Sequence, residues 1–381
     1  MQTKKSVSLE TFIMLFLLIG GFVVLGNTMG VANLFNTIMN TAHDLLINTV
    51  FFIMAISVVA GSISAIFTEF GGVNLLNKVI SPLMRPLYGL PGASSLGIIS
   101  TFVSDNPAIL SLAKNQHFSK YFKEYQIPAL CNLGTSFGMG LILITFMLGL
   151  NLENVGLAVF FGFLGAVTGS VVSVRLMIRS TKKYHNIAHE DAKKEYSFSA
   201  DKHVKDEDRV VEGSAAQRLM NSILEGGQSG VELGLAIIPG VLCICTLVMI
   251  LTFGPSEAGY TGAAYEGIEL LPKIGEFFSP LLQSLFGFTD SSNIAFPITS
   301  LGATGAAMAL VPKMIEAGTA GLNEIAVFTA MGMCWSGYLS THISMMDALD
   351  KRHFIKNAIL SHTLGGIVAG VTAHYLFLFF G

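Results

Sequence analysis

Seven stretches of this chain are each long and apolar enough to cross a lipid bilayer, which excludes most folds at once. They lie at residues 11–35, 45–68, 126–150, 154–175, 230–253, 324–346 and 355–379. A spanning helix needs about 20 mostly apolar residues, because each adds about 1.5 Å against a hydrocarbon core of about 30 Å. Inside that core only helices and closed barrels pair their own backbone groups, and runs this long are not barrel strands. Composition agrees: 52% of residues are apolar and 12% charged, roughly half the charged fraction of a soluble domain. The N-terminal MQTKKSVSLETFIMLFLLIGGFVVLG has the basic start of a signal peptide. No small-x-small cleavage site follows it and the chain goes on to span repeatedly, so it reads as a first transmembrane helix.

Lys and Arg set the expected orientation. With the N-terminus in the cytoplasm and seven alternating spans, 20 of the 22 basic residues fall on the cytoplasmic side, and only Lys273 and Lys313 fall outside. The positive-inside rule then places the C-terminus outside. The bias holds only if two further apolar stretches, near 86–113 and 286–312, enter and leave on one side.

Those two stretches are alike. ISPLMRPLYGLPGASSLGIISTFVSDNPAIL aligns without a gap with FSPLLQSLFGFTDSSNIAFPITSLGATGAAM, pairing Ser81 with Ser279 at an offset of 198 residues (279 − 81). The same offset pairs Pro82 with Pro280, Gly89 with Gly287, Ser94 with Ser292 and Thr101 with Thr299. It continues into the following spans as Gly134 with Gly332 and Leu141 with Leu339. Each unit reads as span, hairpin, span, span. Three crossings is odd, so the second unit must be inverted relative to the first, the arrangement of many secondary transporters.

The fold class expected is therefore an all-α integral membrane protein with about seven transmembrane helices plus two re-entrant hairpins in an inverted repeat. Residues 1–44 hold an N-terminal span and 45–175 the first repeat. Residues 176–228 form a polar cytoplasmic loop whose end, AAQRLMNSILEG, could lie at the interface as an amphipathic helix. Residues 229–381 form the second repeat.

A hairpin half of 10–12 residues reaches about 15–18 Å, roughly mid-membrane. The tips would be Ser104-Asp105-Asn106-Pro107 and Ser300-Leu301-Gly302-Ala303-Thr304-Gly305. Pro107 suits the first turn of a returning half-helix, and Ser, Asn and Thr can cap half-helices whose positive ends face a ligand. The next spans are interrupted by small polar residues, at Asn132–Gly138 and Gly332–Gly337. The substrate-binding candidates are Ser104, Asp105, Asn106, Asn132, Thr135, Ser136, Ser300, Thr304, Cys334 and Ser336. Singly, such residues are more often packing glue between membrane helices; four stretches at matching depth favour a site.

Asp105 is the one carboxylate expected at that depth and the candidate for a coupling ion or proton, against a bare N-cap role. Asp290 reads as an N-cap, and His342 and His362 carry no clear role. Cys131, Cys243, Cys245 and Cys334 match no zinc spacing and read as small apolar fillers. No Walker A motif and no nucleophile with a paired base is present, so neither an ATP-driven pump nor an enzyme is expected. The net charge of −3 argues against a nucleic-acid partner.

The segments PLYGLPGASSLGIISTFVSDNPAIL and CNLGTSFGM, with the second copy PLLQSLFGFTDSSNIAFPITSLGATGAAM, resemble the nucleoside-recognition gate family of membrane proteins. That family includes concentrative nucleoside transporters, the gate regions of bacterial ferrous-iron transporters and the spore maturation membrane proteins, and the chain is most similar to its YjiH-like bacterial branch. The resemblance implies hairpin-tip substrate binding, alternating access and a bacterial inner (plasma) membrane location. In the nucleoside transporters a hairpin carries a substrate-binding Glu, where this tip offers Asp105. The leading expectation is a secondary active transporter of a small polar solute, a nucleoside being one candidate, coupled to Na+ or H+. A lipid or isoprenoid-phosphate translocase and a non-transporting membrane scaffold are the alternatives. The expected partners are the solute, membrane lipids and further copies of the chain in a homo-oligomer, with no cofactor and no metal.

Overall fold

The computed structural model describes residues 6–104, 107–114, 116–184 and 213–381. It is an all-α membrane protein. Six segments are long and apolar enough to span: Leu9–Met29 (α1), Val31–Glu69 (α2), Ile127–Leu148, Val155–Tyr184 (α8), Ala215–Thr252 (α9) and the last, Arg352–Phe380. The expected seventh span is present but broken, as Leu322–Cys334 (α14) and Tyr338–Ala348 (α15). Ile127–Leu148 is broken in the same way into Ile127–Thr135 (α6) and Gly140–Leu148 (α7). The final span contains the helix Ile355–Phe380 (α16).

Two expectations change. The first span stops at Met29, where Gly30 turns the chain, and the second begins at Val31 and runs unbroken to Glu69. The stretch at the end of the polar loop is not a separate interfacial helix. From Ala215 it continues into the span without a break, with a capping box at Ser214 and Gln217. Of the loop itself, residues 185–212 lie outside the described residues.

Before each hairpin comes an amphipathic approach. On the first side it is Gly72–Tyr88 (α3); on the second it is Leu270–Phe277 (α10) and Ser279–Phe286 (α11). Both approaches stop at a left-handed glycine, Gly89 (φ +71°) and Gly287 (φ +69°), where a Cβ would be strained. The hairpins follow: Ser94–Val103 (α4) with Pro107–Lys114 (α5), and Ala295–Gly302 (α12) with Thr304–Glu316 (α13). Helices of 8 to 13 residues cannot cross a bilayer. As expected, Pro107 opens its half-helix, and Asp290 caps a short turn by accepting from the Ser292 N–H at 2.8 Å.

Corresponding helices of the two units pack antiparallel, through glycines. A Cβ on Gly61 of α2 would lie 2.4 Å from the Gly226 carbonyl oxygen of α9, and one on Gly230 would lie 2.4 Å from that of Ser57. In α8 and α16, a Cβ on Gly165 would meet the Ala369 oxygen at 2.5 Å, and one on Gly169 the Gly365 oxygen at 2.4 Å. Numbers rise on one helix as they fall on the other. Apolar tails offer no hydrophobic drive for two membrane helices to associate, so close backbone approach through small residues supplies the packing energy. Both α2 and α9 also carry one π-turn, at Leu45–Val50 and Gly240–Cys245. Cys243 and Cys245 face opposite ways there, one exposed and one buried.

The loop after α9 is tied to α2. Asn33 Nδ2 donates to the Tyr260 carbonyl at 2.8 Å and Asn40 Nδ2 to that of Gly262 at 2.8 Å. Within the loop, the Glu266 carboxylate is 3% exposed. It accepts from the Thr261 N–H at 3.0 Å, the Thr261 hydroxyl at 2.6 Å and the Gly262 N–H at 2.9 Å. Burial pushes its pKa up, but these donors together hold it below the ordinary glutamate value.

Two outcomes follow from these contacts. Gly61→Val should cost about 1–3 kcal/mol by overpacking and lower the unfolding temperature in detergent. Gly20→Ala, with nothing within 4 Å of the new methyl, should not. A depressed folded-state pKa stabilises above the unfolded value and loses that contribution as pH falls through the folded one. Acidification below the ordinary glutamate range should therefore release the 253–269 loop to protease, and Glu266→Gln should cleave at neutral pH as wild type does only in acid.

Candidate solute-binding site

The two broken spans lie side by side in opposite directions, α6 against α15 and α7 against α14. Each restarts through a left-handed residue, Met139 (φ +56°) and Gly337 (φ +59°). These positions are again 198 apart (337 − 139). A break leaves N–H and C=O groups without helical partners. In a dry interior each must be met by another group, at several kcal/mol otherwise.

The hairpins meet those groups. In the second unit the Gly337 N–H donates to the Ser300 carbonyl at 3.1 Å, and the Thr304 hydroxyl donates to the Gly332 carbonyl at 2.9 Å. Thr304 thus reaches across to the broken span instead of capping its own helix. In the first unit Phe102 packs where a Cβ on Gly140 would sit, at 2.4 Å, and Ile109 fills the space over Gly97 and Gly134. Hairpin two therefore rests by its tip on the break in the span that follows it, and hairpin one packs Phe102 and Ile109 against the span that follows it. The Ser136 hydroxyl lies beside the Cys334 thiol, and these residues are also 198 apart (334 − 136).

Of the sequence candidates, Asn132, Thr135, Ser136, Ser300, Thr304, Cys334 and Ser336 are buried. Ser104 is exposed at the first tip and donates to the Ser100 carbonyl at 2.6 Å. Asp105 and Asn106 lie outside the described residues. Thr135 and Ser136 donate to the carbonyls of Cys131 and Asn132, both at 2.8 Å, so their hydroxyls are occupied within their own helix. The Ser300 hydroxyl has no partner among the described residues.

Four residues beyond the sequence candidates complete the centre: Ser173, Ser361, His342 and His362. Asn132 Nδ2 donates to the hydroxyls of Ser173 and Ser361, both at 2.9 Å. His362 Nε2 lies 2.6 Å from the Cys334 carbonyl and its Nδ1 lies 2.8 Å from Ser173 Oγ. A carbonyl can only accept, so the proton of neutral His362 sits on Nε2 and Ser173 donates to Nδ1. His342 Nδ1 faces the Tyr338 carbonyl at 3.1 Å, which by the same reasoning places its proton on Nδ1. Its Nε2 lone pair is then buried without a partner among the described residues, as is Asn132 Oδ1. The imidazoles stand 4.6 Å apart, with Tyr338 at 5.0 Å from His362. Among the described residues, no group of three or more His, Cys, Asp or Glu forms a metal site. The sequence signal for this cluster was weak, since His342 and His362 sit on separate elements with no motif joining them.

The architecture is that of a multi-pass, all-α membrane protein. It is similar to the concentrative nucleoside transporter CNTnw in an inward-facing substrate-bound state, with a TM-score of 0.51 at 14% identity over 99% of this chain and 94% of that one. A CNTnw variant in its intermediate 2 state gives 0.52 at 13% identity over 97% and 87%, and the intermediate 1 state 0.50 at 13% over 96% and 84%. At such identities the likeness is one of fold. Neither a protein-family model nor a curated protein matches the sequence.

Replacing Gly337 tests the contact between tip and break. Gly337→Ala places a Cβ 3.2 Å from the Gly302 carbonyl in a conformation costing about 1–2 kcal/mol for a side chain. Its unfolding temperature should fall. Gly302→Ala, with open space around the new methyl, should stay near wild type.

Proposed function

We propose that this chain is a secondary active transporter of a small polar solute that works by alternating access. The observation that carries the reading is the packing of two hairpins on two adjacent, antiparallel broken helices. Helix breaks inside a membrane are tolerated where they are buried in protein or line a cavity, and in secondary transporters they bind substrate between inverted repeats. The antiparallel pairing of α2 with α9 and of α8 with α16 supports reading residues 45–175 and 229–381 as inverted repeats. The likeness to CNTnw supports the same class, and a nucleoside is the first solute to test because CNTnw is a nucleoside transporter.

The solute would lie between Ser104–Pro107 and Ser300–Gly305, flanked by Asn132–Ser136 and Cys334–Ser336. Asp105 would hold a coupling Na+ or H+. The N-terminus would face the cytoplasm of a bacterial cell and Gly381 the outside, on the bias of basic residues.

Uptake of radiolabelled uridine into proteoliposomes tests this, with an imposed Na+ or H+ gradient. Gradient-dependent accumulation is expected in wild type. Asp105→Asn keeps a capping oxygen but removes the charge, and should lose the gradient dependence by tenfold or more while still folding. Full coupled uptake in that variant would leave Asp105 a cap. Orientation has its own test: Ala216→Cys should resist an impermeant thiol reagent added outside whole cells, whereas Ser256→Cys should react. The reverse pattern would invert the topology.

A further inference from the structure

The His342–His362 cluster is a candidate apart from the hairpin-tip carboxylate. Both rings are fully buried, and every nitrogen but one is engaged. His362 is fixed in one tautomer by the Cys334 carbonyl and the Ser173 hydroxyl, and His342 Nδ1 is fixed by the Tyr338 carbonyl. The exception is His342 Nε2, a basic lone pair in the core with no donor among the described residues. Buried polar atoms in native proteins are overwhelmingly paired, so such an orphan calls for a function. We propose that His342 Nε2 is a proton-binding site of this protein, with Asn132 Oδ1 the second unpartnered acceptor of the same cluster.

From α16, His362 faces His342 at 4.6 Å, and Tyr338 of its own helix lies at 5.6 Å. Helices α6 and α12, which both pack against α15, carry no charged residue. At the end of α15, Asp347 is held by Arg352 from the following turn, and Lys351 by Glu124. No described carboxylate of these elements is left to pair with an imidazolium beside His362. A cation placed there would depend for its stabilisation on uncharged oxygen atoms, and on water or solute admitted when hairpin two, which packs against α15, lifts from Gly337. Proton binding at His342 is thereby linked to the position of hairpin two, which is what proton coupling requires of a site. The use of the proton in coupling rests on the transporter reading; its binding does not.

The balance is simple. One proton from solvent adds to the Nε2 lone pair, giving an imidazolium with N–H groups at both nitrogens, and no bond breaks. The experiment is histidine-selective ¹⁵N NMR of the full chain in lipid nanodiscs, titrated from about pH 8, above the ordinary histidine range, down to the lowest pH at which the protein stays folded. At high pH one Nδ1-protonated and one Nε2-protonated buried imidazole are expected, for His342 and His362. On acidification the His342 Nε2 signal should turn from lone-pair-like to N–H-like while His362 keeps its tautomer, and His342→Gln should remove the titrating signal. Asn132→Asp supplies a second handle if that variant folds poorly. A carboxylate in the cluster should move the midpoint up by about one pH unit or more. A His342 Nε2 signal that stays lone-pair-like wherever the protein is folded overturns the proposal. So does survival, in His342→Gln, of the titrating signal assigned to His342, or a midpoint of that signal unmoved in Asn132→Asp. Uridine uptake is read separately: its failure counts against the transporter reading with that solute and leaves the titration to decide the proton site.

Discussion

Two helices broken inside the membrane are the constraint from which the rest of this structure follows. A break strands N–H and C=O groups where no water can reach them. The stranded groups at Gly332 and Gly337 find partners on hairpin two, at Thr304 and Ser300. That requires a hairpin short enough to end there and a glycine to let its tip approach. The hairpins in turn need the left-handed stops at Gly89 and Gly287, and a frame rigid enough to hold both breaks together. The glycine-lined pairs α2/α9 and α8/α16 provide that frame.

The contact between hairpin two and the break is slight beside the frame that carries it. The tip of hairpin two is held to the break by a few hydrogen bonds, each worth roughly 1 kcal/mol net, whereas the frame interlocks along whole helices. A solute or ion that replaced those few bonds could shift the tip without disturbing the frame. The buried polar residues gather at this contact: Ser300 on the hairpin, Cys334 and Ser336 on the broken span, and Asn132, Ser173 and His362 behind them.

Much of this was legible in the sequence because a period is hard to hide. The 198-residue offset marked Gly89 with Gly287 and Thr101 with Thr299. The structure gives the first pair the same helix-ending turn, and the second pair the same hydrogen bond to the carbonyl four residues back, at 2.8 and 2.7 Å. The breaks were visible as polar residues inside apolar spans. The His342–His362 pair was not, because its contacts are long-range and unsymmetrical: Ser173 meets His362 across 189 residues, and the positions 198 earlier are Ile144 and Leu164. The joining of the stretch from Ala215 to the next span was missed for a different reason. Its polar face reads as an interfacial helix, while the glycines that pack it against α2 read as ordinary membrane composition.

The central claim is that the space between hairpin tip and helix break opens to each side of the membrane in turn. It can be tested without knowing the solute. Ser300→Cys in a cysteine-free background, probed with an impermeant thiol reagent in right-side-out and inverted vesicles, should react from both faces. Reaction from each face should fall when the protein is trapped open to the other. A cysteine that reacts from one face only, or from neither, would contradict alternating access at this site.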